Sequence, residues 1–160
     1  VAETRSLTFD VSPPILYELG FEAALEWFAE RIQQQYGVEV EIMGCDKEIP
    51  LGTEWRVTLF AAVRELLVNV GKHAKSPIAR VSMKKKQGNI VISVSDKGVG
   101  MNPSSRMRGK PGIDGFGLFS IRERLGYMGG RVEIFSKPGQ GTCVTLLVPM
   151  EKLKRVSERR

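Results

Sequence analysis

The order of patterned segments predicts an α+β fold, a two-layer sandwich in which helices cover one face of a mostly antiparallel sheet. Three observations carry this. Segments of helical and strand period follow one another as helix, strand, helix, two strands, helix, two strands. Each closing pair of strands is joined by a short glycine-containing turn, Gln87-Gly88-Asn89 in one case and Ser136 to Gly141 in the other, which marks antiparallel hairpins. The helical segments carry an apolar arc on one side only, so they have one face to bury, and layered packing on a sheet buries it. At 160 residues and 17.8 kDa the chain suits one domain, able to bury roughly two thirds of its unfolded surface.

Taken in order, Thr4 to Phe9 resembles the fraying end of a helix, and Ser12-Pro13-Pro14 stops regular structure. From Ile15 to Tyr36, Leu16, Leu19, Ala23, Trp27 and Ile32 recur at roughly helical spacing, so one helix is expected, ended by Gly37. Val38 to Ile42 alternates as a strand with one wet face, and residues 44–52 read as a loop. Thr53 is placed to cap a long helix reaching Lys72 or Ala74. On a helical wheel of about 100° per residue, Leu59, Val63, Leu66, Leu67 and Val70 share an apolar arc, with Glu65, Asn69, Lys72 and His73 beside it. Ala79 to Lys84 and Asn89 to Ser95 form the next hairpin. Asn102 to Asp114, rich in Pro, Ser, Gly and Arg, is a loop of the length typical of functional lids. Gly115-Phe116-Gly117 then opens a helix whose buried side holds Leu118, Ile121, Leu125 and Met128, and Gly129-Gly130 ends it. Arg131 to Phe135 and Thr142 to Val148 are the last strands, and Lys152 onward reads as a polar extension.

The chemistry centres on Asp96-Lys97-Gly98-Val99-Gly100-Met101. Alternation places Ile90, Ile92 and Val94 on one face, and the same period carries that face to Asp96. A carboxylate at the end of an apolar row needs a donor, because an unpaired charge there is costly. The glycines after it let the backbone turn and let a ligand approach. Such a site suits the amino edge of a purine, although by itself the segment reads more readily as a strand ending in a turn, and it is the segments around it that favour the purine. Two further glycine pairs, Gly115/Gly117 and Gly139/Gly141, sit at element boundaries. A helix opening at Gly117 would offer free N–H groups to phosphate, with Arg106, Arg108 and Lys110 nearby. Asn69 is a poor mid-helix residue unless its amide has a task, and its carbonyl oxygen suits Mg²⁺ shared with phosphate oxygens and water. These parts together describe a site for ATP with Mg²⁺.

Composition narrows the classes. The net charge of +6 and a pI near 9.5 raise nucleic-acid binding. Yet the basic groups, Lys84-Lys85-Lys86, the loop residues and the tail, are dispersed and carry no interleaved aromatic residues for stacking. No nucleic-acid partner is expected. No apolar run approaches the roughly 20 residues of a membrane span, so this domain is expected to make no membrane contact. Cys45 and Cys143 lie far apart without metal-ligand spacing and are expected to be reduced thiols of a cytoplasmic domain.

At these residues the chain resembles the sensor histidine kinases of the nitrate- and fluidity-sensing subfamily. Glu65-Leu66-Leu67-Val68-Asn69-Val70-Gly71-Lys72-His73-Ala74 is similar to their N box and Asp96 to Met101 to their G1 box. Gly115-Phe116-Gly117-Leu118 with Ile121-Arg122-Glu123-Arg124 is similar to the G2 region, and Gly139-Gln140-Gly141-Thr142 to the last glycine box. The likeness runs in order from about Pro13 to Pro149. It implies the ATP-binding fold, with a mixed sheet, shared with gyrase, the ninety-kilodalton heat-shock chaperone and mismatch-repair ATPases. By that resemblance Asp96 bonds the adenine amino group, directly and through water with Thr142. Asn69 holds Mg²⁺, Lys72 and His73 lie toward the phosphates, and Glu65 orients or deprotonates the attacking group. Gly98, Gly100, Gly115 and Gly117 shape the pocket and hinge the lid, with Met101 and Leu118 also on the cofactor. Implied partners are a phosphoacceptor and dimerisation domain of the same parent, a homodimer that can be membrane-anchored, and a response regulator downstream.

One part of that machinery is not in this sequence. Such kinases phosphorylate a histidine usually followed by an acid, whereas the single histidine, His73, precedes Ala74 within the N box. The expected organisation is therefore residues 1–13 as the end of a connection from a phosphoacceptor domain, 14–150 as the catalytic domain, and 151–160 as an extension. Starting at Val1, the chain is expected to be a piece of a longer protein. The rival readings are a serine kinase of the anti-sigma type on the same fold and a non-catalytic nucleotide-sensing module.

Overall fold

A computed structural model describes residues 13–44, 51–101 and 113–157, with the backbone alone for 113–116 and 154–157. Its elements are α1 (Pro14–Glu18), α2 (Phe21–Tyr36), β1 (Glu39–Met43), α3 (Thr53–Asn69) running into a π-helical turn (Val70–Ala74), β2 (Ile78–Lys86), β3 (Asn89–Asp96), α4 (Ile113–Tyr127), β4 (Arg131–Ser136), β5 (Thr142–Pro149) and α5 (Met150–Ser157). The sheet has the order β1-β2-β3-β5-β4. Among the described strands, β1 and β2 pair in parallel and the other three pairings are antiparallel. The α+β sandwich with a mixed, mostly antiparallel sheet is thus the observed architecture.

Alternation fixes which sheet face is covered. Ala79, Val81 and Met83 of β2, Ile90, Ile92 and Val94 of β3, and Val144, Leu146 and Val148 of β5 are all buried in one core. Against them pack Leu25, Phe28 and Ile32 of α2, Trp55, Leu59, Phe60, Val63, Leu66 and Leu67 of α3, and Leu118, Ile121 and Leu125 of α4. Phe28 and Phe60 meet edge to face at 6.0 Å between ring centroids, a favoured geometry for the ring quadrupoles. The arc expected on the α3 wheel is entirely buried.

Several local expectations are corrected. The helix expected from Ile15 to Tyr36 is broken at Leu19-Gly20, where Gly20 has φ +95°. The break resets the helical phase. Leu19 is exposed, and Ala24 and Phe28 face the core in place of Ala23 and Trp27, which are only partly buried. Thr53 is the first helical residue and makes no capping bond; the cap position is Gly52. Past Pro149 the chain is helical as α5, and Leu153 is buried. The fraying N-terminal helix, Cys45 and most of the loop after β1, and residues 102–112 of the expected lid lie outside the described residues, while Ile113 and Asp114, expected to end that loop, open α4.

Candidate nucleotide site

One cleft opens at the C-terminal end of β3. It is lined by Asn69, Val70, His73 and Ala74 from the end of α3, by Asp96 and Val99 to Met101 from the turn after β3, by Leu118 of α4 and Thr142 of β5, with Leu66, Val94 and Val144 at its apolar base. Segments far apart in sequence, read separately as N box, G1, G2 and last glycine box, therefore meet around one space.

Asp96 occupies the position that period two assigns it, directly beyond Val94 on the covered face. Its Oδ1 accepts the Gly98 N–H at 2.8 Å, which supplies the donor that a carboxylate at the end of an apolar row requires. Burial lifts the Asp96 carboxyl above its ordinary value near 3.8, while the N–H groups of Gly98 and Thr142 pull it down. The lift prevails because the surrounding groups are largely apolar, and it marks a group held partly out of water in a cleft.

Close backbone approach explains the glycines here. A Cβ on Gly98 would run into the Ala74 carbonyl, which accepts the Val99 N–H at 2.8 Å. Gly100 has φ +68°, and a Cβ there would meet the Lys137 carbonyl. Gly141 has φ +79°, and its Cβ would meet the Asp96 carbonyl. The Gly139 N–H donates to the Val99 carbonyl at 2.6 Å. The turn bearing Asp96 is thus stapled on one side to the end of α3 and on the other to the β4–β5 turn.

The π-helical turn decides which polar residues of α3 face the cleft. Its i→i+5 winding advances less per residue than an α-helix. His73 comes round above Asn69, while Lys72 turns outward; His73 lines the cleft half-buried and Lys72 is exposed. The expectation that Lys72 shares the flank of Asn69 holds on an α-helical wheel and fails on the observed winding. Glu65 is not on the cleft wall. Its carboxylate lies against Gly117 of α4, where any Cβ would strike Glu65 Oε1.

Helix α4 starts at Ile113, not at Gly117. Gly117 therefore sits in the second turn, where its N–H belongs to the helical ladder, and the free N–H groups lie at the first turn containing Gly115. Gly117 matters instead for the room it leaves Glu65. The side-chain surroundings of residues 113–116, and with them the cationic residues of the lid, lie outside the described residues.

One residue escaped the sequence reading. Ser136, at the end of β4, is buried, and its Oγ accepts the Met101 N–H at 2.8 Å, donates to the Gly141 carbonyl at 3.0 Å and lies 2.8 Å from Thr142 Oγ1. Its signal was faint: a serine continuing the face of Val132 and Ile134, just ahead of a glycine turn, reads as turn chemistry.

The chain belongs to the histidine kinase-, DNA gyrase B- and HSP90-like ATPases, whose family pattern matches residues 55–152, and is by that membership an ATP-binding domain. It is 31% identical over 150 residues, 94% of its length, to the oxygen sensor histidine kinase NreB of Staphylococcus carnosus, covering 42% of that protein. It is also 31% identical over 152 residues to a sensor-like histidine kinase of Chloroflexus aurantiacus, covering 93% of this chain and 26% of the relative. The chain thus spans less than half the length of these relatives. Among solved structures, the blue-light activated histidine kinase of Erythrobacter litoralis EL346 superposes with a TM-score of 0.72 at 18% identity, over 96% of this chain and 51% of that one. The Acinetobacter baumannii histidine kinase AdeS gives 0.67 at 16%, over 81% and 64%. These two likenesses establish the fold.

Proposed function

We propose that this chain is the catalytic, ATP-binding module of a sensor histidine kinase, which passes the ATP γ-phosphoryl group to a histidine on a separate dimerisation domain of the same parent. The observation that carries the reading is Asp96: a carboxylate lifted by burial, held through one oxygen by Gly98 and standing on the wall of an apolar cleft. A group so placed favours a ligand that brings a hydrogen-bond donor on a flat apolar frame, and the adenine amino group is such a donor. Leu66, Val70, Val94, Leu118 and Val144 supply apolar surface for the ring.

The other residues take roles from their positions. Asn69 and His73 line the cleft on the α3 side. The carbonyl oxygen of Asn69 has the hard donor character that Mg²⁺ accepts, and when bound the ion would neutralise phosphate charge. Glu65, held against Gly117, would orient or take the proton of the attacking imidazole. Lys72, exposed at the end of α3, would contribute positive charge toward the phosphates. Phosphoryl transfer is largely a matter of positioning and charge stabilisation, so the module would bind nucleotide unaided, with the acceptor histidine supplied by the dimerisation domain. The parent would dimerise through the acceptor domain and pass the phosphoryl group to a response regulator. No described helix is long and apolar enough to cross a membrane; a cytoplasmic setting is part of the proposal.

The test is calorimetry with ADP and a non-hydrolysable ATP analogue, with and without Mg²⁺, followed by γ-labelled ATP in the presence and absence of a histidine-bearing dimerisation domain. Saturable binding, with acid-labile label appearing only on the added domain, supports the reading. Absence of binding, or label appearing on His73 of the isolated chain, overturns it.

A further inference from the structure

Asp96, Thr142 and Ser136 form one row across three adjacent strands: Asp96 of β3 pairs with Thr142 of β5, which pairs in turn with Ser136 of β4. Cross-strand partners of this kind sit about 5 Å apart at Cβ. The first two line the cleft. Ser136 stands behind them, buried, with three polar neighbours.

The protons in this row can be counted. A serine hydroxyl has one proton and two lone pairs. The Met101 N–H can only donate, so it takes one lone pair of Ser136 Oγ. The Gly141 carbonyl can only accept, so it takes the Ser136 proton. What remains on Ser136 is a lone pair, and the neighbour that remains is Thr142 Oγ1 at 2.8 Å. All three contacts are hydrogen bonds at once only if Thr142 donates to Ser136.

We infer that Ser136 is a positioning residue for base recognition, fixing the Thr142 hydroxyl so that it meets the nucleotide as an acceptor only. This rests on the nucleotide reading above. Asp96 also accepts only, once ionised. The wall that reads the base then consists of two neighbouring acceptors with no side-chain donor. Adenine suits it: the amino group donates to Asp96, and a water can donate one proton to Thr142 and the other to ring N1. A 6-oxo purine does not, because its carbonyl oxygen finds no donor on that wall. Freed from Ser136, the Thr142 hydroxyl could rotate and supply that donor, relaxing the choice of base. The serine therefore acts through a proton position, without touching the ligand.

The experiment is calorimetry with ADP and with IDP on wild type, Ser136→Ala, Thr142→Val and the double variant. Ser136→Ala is expected to weaken ADP binding by about threefold to tenfold, the range of one hydrogen bond, and to narrow the ADP-over-IDP preference by about fivefold or more, because IDP gains what ADP loses. In the Thr142→Val background, where no hydroxyl remains to rotate, adding Ser136→Ala should leave the preference unchanged. A merely structural serine would weaken both nucleotides alike; an unchanged preference in Ser136→Ala, or a narrowing that persists beside Thr142→Val, overturns the inference. Should Ser136→Ala not fold, Ser136→Cys, whose sulfur accepts weakly, carries the same expectation and the same refutation. Wild type that binds neither nucleotide would sink the functional reading itself, a different result from binding with an unmoved preference.

Discussion

The two β-hairpins of this domain start from the same local chemistry and end in different employment. In β2–β3, Lys86 pairs with Asn89 across the two-residue turn Gln87-Gly88, and both turn residues have positive φ, +51° and +75°. That is the primed turn whose twist matches the strands it joins. A Cβ on Gly88 would find open space. In β4–β5, Ser136 pairs with Thr142 across residues 137–141, and Gly141 also has positive φ, +79°. Here a Cβ would collide with the Asp96 backbone, and the serine at the strand end ties Met101, Gly141 and Thr142 together. A glycine in the first hairpin answers only to backbone conformation. Gly141 in the second answers to conformation and to the packing of a functional turn.

The sharpest way to break this comparison is alanine at each turn. Gly141→Ala adds left-handed strain and a backbone clash, so it should cost about 3 kcal/mol or more of stability and abolish measurable nucleotide binding. Gly88→Ala should cost about 1–2 kcal/mol from strain alone and leave nucleotide affinity as it was. Urea unfolding and calorimetry read the two effects, and equal losses of binding would void the contrast.

Asp96→Asn comes next in size. It keeps an oxygen for the Gly98 N–H but removes the charged acceptor, so affinity for ADP should fall at least tenfold. Stability at pH 7 should hold or rise, because the folded state no longer carries a partly desolvated charge. The folded carboxyl ionises above the unfolded value near 3.8, so at pH 7 the charge disfavours folding. That penalty fades as pH falls through the raised folded value and is gone below the unfolded one. The advantage of the Asn variant in unfolding experiments should therefore shrink on acidification; an advantage that grows would contradict the assignment.

Among the substitutions around the cleft, the smallest effect on binding is expected from Gly117→Ala. The new methyl meets the movable end of Glu65, and alanine favours a helix over glycine by about 0.5–1 kcal/mol, so the fold should hold and ADP affinity should change by less than about twofold. Displacing Glu65 should nonetheless slow phosphoryl transfer to a supplied acceptor domain by about tenfold or more. A change confined to affinity would instead assign Glu65 to nucleotide binding.

Much of this was open to reading in one dimension. Period two placed Asp96 beyond Val94 on the covered face, the helical wheel gave the buried arc of α3, and the spacing of the glycine boxes carried the family likeness. Local sterics and periodicity set these features, and both are written residue by residue. What sequence reasoning placed wrongly were matters of winding: the break at Gly20, the turn from α to π after Asn69 that sends Lys72 outward, and the start of α4 at Ile113. A helical wheel assumes one pitch, and tertiary contacts choose where the pitch changes.

By itself, then, the sequence determined the layers, the strand order within each hairpin and the carboxylate at the end of its apolar row, because backbone sterics and side-chain period act between near neighbours. Only the folded structure decided which backbone groups would press against one another and where protons would lie. Gly98 is glycine because Ala74 arrives from another element, Gly117 because Glu65 does, and Ser136 has three polar partners because three strand ends converge. Such demands come from segments remote in the chain, and no local pattern records them.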